Sequence, residues 1–355
     1  SALLSMVALI SIVGSQVAAV TGIMNALGMK NTTIVAILAM AVIIALTSMG
    51  GLKAVTVTDG FQIILVIIGV VWVTAVALKD VGGFSGLNAS LAAMSDELPE
   101  GYNTFLTADH IKTQLWMILP GFMYTMIGQD VYQRLFACKN HKTAVKTALY
   151  SAVLIAFIAA TPVVCGLIAR VQHPELAANG TSAAAYATLA MSTLPGWAVG
   201  IIIAASLSAI LSTADSCLSA ASSHFMTDFY MLYIAKDADP NDKRLVTVSR
   251  VFTIVAGAVA VIVSMLLPTI LDGCFYAYYI YTVGVFCPIV FGVFWKKTTR
   301  QGAVAGLVSG GIFVMFALLT GFNVAGVGGE LLSGIVSAIV LVAVSLATQP
   351  KKAAA

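Results

Sequence analysis

The chain has 355 residues, of which 60% are hydrophobic and only 9% are charged, with a formal net charge of +3. Its mean hydropathy is +0.99. So few charges cannot cover the surface of a water-soluble domain, and the composition therefore predicts a polytopic membrane protein whose surroundings are the lipid bilayer. The small positive charge gives no reason to expect a nucleic-acid partner, and we expect none.

Hydropathy predicts about ten transmembrane helices, because each apolar block is long enough to cross ~30 Å of hydrocarbon. The blocks lie near 1–27, 32–50, 58–78, 114–136, 144–169, 197–225, 246–268, 274–295, 302–321 and 330–347. Glycine and charged residues make the block at 114–136 the least uniform. The whole chain, 1–355, is therefore predicted to form one all-α transmembrane domain.

The basic residues predict the orientation of these helices. If the first block runs outward, 14 of the 18 Lys and Arg residues fall on the inner side and four on the outer side. Both ends of the chain are then cytoplasmic, in a cell membrane of the plasma or inner type. Three Asn-x-Ser/Thr sequons, at Asn31, Asn88 and Asn179, fall outside in this arrangement.

The first residue, Ser1, stands inside an apolar block with no preceding Met or leader. This start predicts that the chain is a fragment that lacks the N-terminal part of a longer protein.

A break is predicted between the second and third blocks, where Gly50 and Gly51 are followed by the polar positions Asp59 and Gln62. Two interpretations of Asp59 stay open. It is either a membrane-embedded ligand for a cation or an acidic residue in the first turn of a helix, where the helix dipole favours a negative charge.

Two segments are predicted on the outer side. Residues 79–113 hold five acidic residues and predicted turns at Gly82-Gly83 and at 99–101, which indicate a solvated loop with short helices. Residues 171–196 contain Pro174, Asn179, Gly180 and Pro195 and are long enough for a short helical hairpin. We interpret this second segment as a candidate lid over a substrate path.

The fourth block carries two features. Asp130 and Arg134 are spaced i, i+4, which predicts a structural ion pair between them near the inner interface. Just after Pro120, the segment 121–126 interrupts the apolar pattern with a glycine, two aromatic residues and a threonine. This pattern predicts a locally unwound stretch that lines a cavity.

Residues 206–230 place hydroxyls and carboxylates on one face of an otherwise apolar helix. Ser212, Thr213, Asp215 and Ser216 form the densest group, and hard cations are held by several convergent oxygens. The alternative is ordinary helix–helix packing, with each hydroxyl bonded to the carbonyl one turn back. The cluster as a whole favours a cation site.

An aromatic run falls in the eighth block, at Phe275, Tyr276, Tyr278, Tyr279 and Tyr281. These rings cover most of the circumference of a helix, so only some of them can face one site. Both a ligand cavity and plain packing remain open for each ring.

Three local patterns together resemble the sodium:solute symporter family: GGLKAVTVTDGFQ at 50–62, GQDVYQRLFACKN at 128–140 and SAILSTADSCLSAASS at 208–223. The resemblance covers essentially the whole chain. It implies a LeuT-like inverted-repeat helix bundle, with core helices three to ten at about 1–295, two accessory helices at about 302–347, and the first two core helices absent.

The resemblance also implies site residues. A shared sodium site matches Ala209, Ser212 and Thr213, and a second sodium site matches Asp59, Ser212, Asp215 and Ser216, with Asp215 standing where several members of the family have serine. The substrate-facing part of the sixth core helix matches Gly121, Phe122, Tyr124, Thr125 and Met126, and the tenth core helix offers Phe275, Tyr278 and Tyr279.

We therefore predict sodium-coupled symport of a small organic solute by alternating access, with Na⁺ as the coupling ion. The alternative is a cation channel or membrane sensor that uses the same oxygen cluster without a solute cavity. The sequence has no G-x-x-x-x-G-K-[ST] loop and no paired histidines, so we do not expect an enzyme.

Overall fold

The computed structural model describes residues 1–98, 102, 108–236, 239, 242–267, 269–324 and 327–349, without the side chains of 49–58, 108–117, 282, 283, 327 and 330. Nearly all of this part of the chain is helical. The α-helices are α1 (Ala2–Ala26), α2 (Thr32–Asp80), α3 (Gly83–Ala93), α4 (Ala108–Ile127), α5 (Gln129–Phe136), α6 (His141–Ile158), α7 (Ala160–Gln172), α8 (Glu175–Ala178), α9 (Ala185–Thr193), α10 (Gly196–Phe225), α11 (Lys243–Leu266), α12 (Ile270–Tyr281), α13 (Cys287–Phe294), α14 (Arg300–Thr320) and α15 (Gly329–Ala347).

Shorter elements extend or connect these helices. Ser95–Glu97 and Ser182–Ala184 form 3₁₀ turns, and Met226–Ile234 and Thr282–Phe286 form π-helical turns that follow α10 and α12. Two antiparallel strands of two residues, β1 (Asn323–Val324) and β2 (Val327–Gly328), connect α14 to α15.

Each of the ten predicted apolar blocks overlaps helical residues in the structure. Within the described residues, seven segments are at least 18 residues long and apolar enough to cross a membrane. Three apolar segments are shorter: Thr32–Ser48, Ile118–Ile127 and Leu331–Ala347. The predicted continuous block at 114–136 is wrong, because the helix ends at Ile127 and α5 begins at Gln129.

The helix α2 combines the second and third predicted blocks. A straight helix of its 49 residues would be about 73 Å long. Leu207 and Ile210 of α10, however, pack both against the cluster that contains Val35 and against the cluster that contains Val73. Residues before and after position 50 therefore belong to clusters that contact the same part of α10, and the predicted break near residue 50 does not interrupt the helix Thr32–Asp80.

The core forms around α1 and α10, which pack against each other and against α2, α11 and α12. Small residues dominate the contacts: Ala8, Ala214, Ala221, Ala260 and Ala277 are completely buried. In a membrane, small side chains let helices approach closely, and packing replaces the hydrophobic effect as the main source of association. This close packing places α10 at the centre of the molecule, beside the predicted ion and solute residues.

The pair α14 and α15 is built on the same principle. Gly302, Gly306 and Gly310 recur at every fourth position and are buried. A Cβ atom on Gly306 would lie 2.8 Å from both the Leu341 Cβ and the Ser337 carbonyl oxygen, so only glycine fits there. The pair forms a compact unit after the core.

Candidate functional site

The central helix α10 gathers three of the predicted cation ligands. The Ser212 hydroxyl donates to the Ala209 carbonyl oxygen at 2.9 Å, and the Thr213 hydroxyl donates to the same oxygen at 3.2 Å. This is the back-bonding that the sequence offered as an alternative. Because each hydroxyl uses its proton on the carbonyl, the lone pairs of both hydroxyl oxygens remain free for a cation. The arrangement is thus compatible with a small oxygen site on one helical turn.

A buried carboxylate lies one turn further along α10. Asp215 is only 4% exposed, and its Oδ1 atom has no hydrogen-bond partner among the described residues. Thr47 of α2 is a polar neighbour of this carboxyl group, and Asp59 and Arg134 contribute to the electrostatic field around it. An ionisable group inside a membrane helix is costly and usually marks a functional pathway.

Arg134 of α5 joins α2 to α10. Its Nη2 atom donates to the Ser216 hydroxyl oxygen at 2.6 Å and lies 3.2 Å from Asp59 Oδ2. The neighbouring Gln133 side chain donates to the Ser216 carbonyl oxygen at 3.4 Å. Asp59 and Ser216, which were predicted to share a sodium site, therefore meet at a guanidinium group.

Two expectations about these residues are wrong. Arg134 pairs with Asp59 instead of Asp130, because Asp130 accepts a 2.6 Å hydrogen bond from the Tyr124 hydroxyl across the end of α4. The interpretation of Asp59 as a residue in the first helical turn also fails. Helix α2 begins at Thr32 with Asn31 as its N-cap, so Asp59 lies inside the helix.

The predicted solute residues converge only in part. Tyr124 is buried, and its ring centroid lies 4.9 Å from that of Tyr278 and 5.0 Å from that of Tyr281. Gly121 faces the same cluster, since a Cβ atom there would lie 4.0 Å from the Tyr278 ring. Phe275 contacts the cluster through Tyr278, with centroids 6.4 Å apart.

Other predicted solute residues lie away from this cluster. Phe122 is 59% exposed and Met126 is 39% exposed. Thr125 is exposed and donates its hydroxyl proton to the Gly121 carbonyl. Tyr279 stacks on Phe275 at 6.2 Å. The helical period explains the split, because neighbouring residues of α4 point in different directions.

Tyr281 is a contact that the sequence interpretation did not assign to the site. It is 1% exposed, and its hydroxyl has no hydrogen-bond partner within the described part of the chain. Its spacing of three residues from Tyr278 puts both rings on one helix face, which was the available signal.

The break in the fourth block falls at Gly128 instead of at 121–126, which is helical. Gly128 adopts an extended conformation with φ −64° and ψ 125°. The Tyr132 hydroxyl donates to the Met126 carbonyl oxygen at 2.7 Å, and Tyr124 donates to Asp130. These two bonds hold α5 against the end of α4, so the helix that carries Arg134 also touches the aromatic cluster through Asp130.

The segment 171–196, which is predicted on the outer side, forms the predicted short helical hairpin, with α8 and α9 separated by a 3₁₀ turn. Its own backbone amide, and then His173 at 3.1 Å, hold the pKa of the Glu175 carboxyl below its usual value. A lid function for this segment stays a prediction.

The other outer segment begins with the predicted turn, at which Gly82 and Gly83 have φ angles of 82° and 72°. The predicted turn at 99–101 lies outside the described residues.

Comparison with known proteins gives consistent matches. The model of the sodium:solute symporter family matches residues 1–310. The sodium/glucose cotransporter of Vibrio parahaemolyticus is 31% identical over 299 residues, which cover 75% of this chain and 53% of that protein. The sodium/pantothenate symporter of Escherichia coli (strain K12) is 26% identical over 78% of this chain and 56% of its own length.

The human sodium/myo-inositol cotransporter 2 is 27% identical, over 80% of this chain and 47% of its own length. The chain therefore spans about half the length of the curated relatives it matches.

A solved structure of a Na⁺-coupled sialic acid symporter, in a substrate-bound outward-open state, matches 98% of this chain and 74% of its own chain. The TM-score is 0.74 at 20% identity, which shows a shared fold. The expectation of an all-α, LeuT-like helix bundle is thereby confirmed, and the protein is an integral, multi-pass membrane protein. Since the family model matches most of its residues, this chain belongs to the sodium:solute symporter family.

Proposed function

We propose that this chain forms the transport core of a sodium-coupled secondary symporter for a small organic solute. Na⁺ is both cargo and coupling ion, and its binding favours the conformation that takes up solute, so the ion gradient drives alternating access. The observation that carries the proposal is the oxygen group of Ala209, Ser212 and Thr213 on the central helix, next to the buried Asp215. Oxygen atoms of this kind are the ligands that hard cations prefer.

The second predicted set, Asp59, Ser212, Asp215 and Ser216, is proposed as a separate region that binds positive charge, with the guanidinium group of Arg134 among its contacts. Its support is that Asp59 and Ser216 share one neighbour and that Asp215 lies within their electrostatic reach. Two carboxylates in this region attract positive charge to the membrane interior.

The aromatic cluster is the proposed solute side of the site. Tyr124, Phe275 and Tyr278 supply ring faces, Gly121 leaves space beside the Tyr278 ring, and the hydroxyl of Tyr281 offers a buried polar contact. Mostly apolar walls with a few polar groups suit a small polar organic molecule. Four further residues are proposed to contact the solute only in conformations in which α4 or α12 has moved to turn them toward the cluster: Phe122, Thr125, Met126 and Tyr279.

Carrier function is favoured over a channel, a sensor or an enzyme because the similar proteins are named cotransporters and symporters. The expected partners are Na⁺, a small solute and the lipid bilayer, with no nucleic acid. We further propose a cell-membrane location with both ends of this chain cytoplasmic, because basic residues are concentrated on the predicted inner side.

The test is uptake by the protein expressed with whatever flanking sequence its gene encodes, in proteoliposomes, over a panel of glucose, myo-inositol, pantothenate and sialic acid. We expect accumulation of one solute that requires an inward Na⁺ gradient. Ser212→Ala combined with Thr213→Ala should raise the half-saturating Na⁺ concentration by about tenfold or more, since each lost contact to a charge is worth ~1.5 kcal/mol.

Ser206→Ala is the matched control, because Ser206 is also on α10 and donates to the carbonyl one turn back, at Ile202. It should leave the Na⁺ dependence unchanged. An unchanged Na⁺ dependence of the double variant would contradict the site, and Na⁺ flux without solute accumulation would favour the channel.

A further inference from the structure

We propose that Arg134 is a tethered cation that takes the place of a second metal ion at Asp59, Asp215 and Ser216, and thereby limits the number of Na⁺ ions carried with each solute. The inference rests on the proposed function and assigns to Arg134 a role in ion stoichiometry.

The contacts of Arg134 are those expected of a bound cation. A single nitrogen, Nη2, lies 2.6 Å from the Ser216 hydroxyl oxygen and 3.2 Å from Asp59 Oδ2. The Ser216 hydroxyl donates its own proton to the Ser212 carbonyl oxygen at 2.9 Å, so it meets the guanidinium with a lone pair. Both atoms that the guanidinium contacts here are therefore oxygen acceptors, and a metal ion would also be surrounded by oxygen acceptors.

The guanidinium does not satisfy all the acceptors in this region. Three buried side-chain oxygen atoms have no hydrogen-bond partner among the described residues: Asp59 Oδ1, Gln62 Oε1 and Asp215 Oδ1. All three atoms are acceptors and none can donate when the carboxylates are ionised. Buried acceptors without partners are unfavourable and rare, and a cation is one group that would satisfy them.

The charges lead to the same conclusion. Asp59 and Asp215 carry two negative charges when ionised, and Arg134 supplies one positive charge. Asp215 directly precedes Ser216, the residue that Arg134 contacts, and both Asp59 and Arg134 contribute to the electrostatic field at its carboxyl group. Without Arg134 the two carboxylates would have a stronger attraction for a monovalent cation, and with Arg134 in place a metal ion near Ser216 would be repelled by the guanidinium.

Arg134 belongs to a different element from the groups it binds. It lies on α5, a separate short helix after the break at Gly128, whereas Asp59 is on α2 and Ser216 is on α10. Its side chain is 42% exposed. A substitution at position 134 can therefore remove the charge without creating a cavity inside the packed core.

The experiment measures equilibrium binding of ²²Na⁺ to the purified protein, expressed with its natural flanking sequence. In Arg134→Gln, bound Na⁺ should rise from about one to about two ions per protein, because a competing unit charge is removed from two carboxylates. Arg134→Lys keeps the charge and should bind the same number of ions as the wild type.

Arg250→Gln is the matched control. Arg250 is also on the predicted inner side, but its guanidinium group donates a 3.5 Å hydrogen bond to the Ser48 carbonyl oxygen instead of to Asp59 or Ser216. This variant should leave both the number and the affinity of bound Na⁺ ions unchanged.

If Arg134→Gln is unstable, its thermal unfolding in NaCl and in choline chloride replaces the binding assay. A second Na⁺ site should make its Tm rise more steeply with NaCl than the Tm of the wild type, since a ligand that binds only the folded state stabilises it. Equal Na⁺ binding and equal Na⁺ sensitivity of Tm in wild type and Arg134→Gln would overturn the role of Arg134 alone. Absence of Na⁺ binding in both proteins would overturn the proposed function as well.

Discussion

Tyr124 is the residue at which the aromatic cluster meets the ion region. Its ring packs between Tyr278 and Tyr281, and its hydroxyl donates to Asp130 on α5, the helix that also carries Arg134. The sequence indicated Tyr124 as a solute residue but assigned Asp130 to Arg134. The i, i+4 spacing of Asp130 and Arg134 shows that these side chains can meet on one helix. It contains no information on partners from other helices, such as Tyr124 for Asp130 and Asp59 for Arg134.

We expect Tyr124→Ala to weaken solute binding by about tenfold, because an aromatic contact of this kind contributes ~0.5–1.5 kcal/mol beyond its buried area. Na⁺ affinity should change much less, since the oxygen group of the proposed ion site lies on α10. Tyr124→Phe keeps the ring and loses only the bond to Asp130, so it should retain most of the solute affinity. Separate titrations of solute and Na⁺ check this, and equal loss of both affinities in the Ala variant would indicate a packing role.

At the scale of elements, hydropathy located the helices well and their breaks poorly. The predicted block 197–225 matches α10, at Gly196–Phe225, within one residue. The break in the fourth block was predicted at the wrong position, because Gly128, Gln129 and Asp130 are too few to lower the average hydropathy of a whole span. Hydrogen bonds from Tyr124 and Tyr132 stabilise this break, and such contacts depend on the folded backbone.

Gly128→Ala tests the connection between α4 and α5. An added Cβ atom would lie 2.9 Å from Asp130 Oδ1 and 3.1 Å from the Tyr124 carbonyl oxygen, so the Asp130 carboxylate must move away from the Tyr124 hydroxyl. We expect a loss of about 1 kcal/mol in unfolding free energy, which is typical of one hydrogen bond. Gly166→Ala on α7 is the control, because a Cβ atom there meets nothing within 4 Å. Equal thermal stability of the two variants would contradict the expected displacement.

At the scale of the whole molecule, composition and periodicity were sufficient to predict the class of fold, because a chain with so few charges has few alternatives to a helical bundle in the membrane. The family resemblance implied that Asp59 of α2 meets α10, but the contact of Arg134 from α5 with both was not predictable, since no pattern in the sequence connects α5 to them. The structure also puts Ile23, Val73 and Leu189 in one cluster and Asp59 beside Arg134 in another region. The basic residues predict that the first group lies on the outer side of the membrane and the second on the inner side.

The predicted orientation gives a test that is independent of transport. Cysteine introduced at Asn179, which is exposed between α8 and α9, should react in intact cells with a membrane-impermeant maleimide, because this segment is expected outside. Cysteine introduced at Lys142, exposed near the start of α6, should react only after permeabilisation, since the positive-inside rule keeps this basic segment in the cytoplasm. The unmodified protein is the control for its native thiols, of which Cys138 is near Lys142 and should also be protected in intact cells. Labelling of Lys142→Cys but not Asn179→Cys in intact cells would reverse the orientation and place the cluster of Asp59 and Arg134 on the outer side.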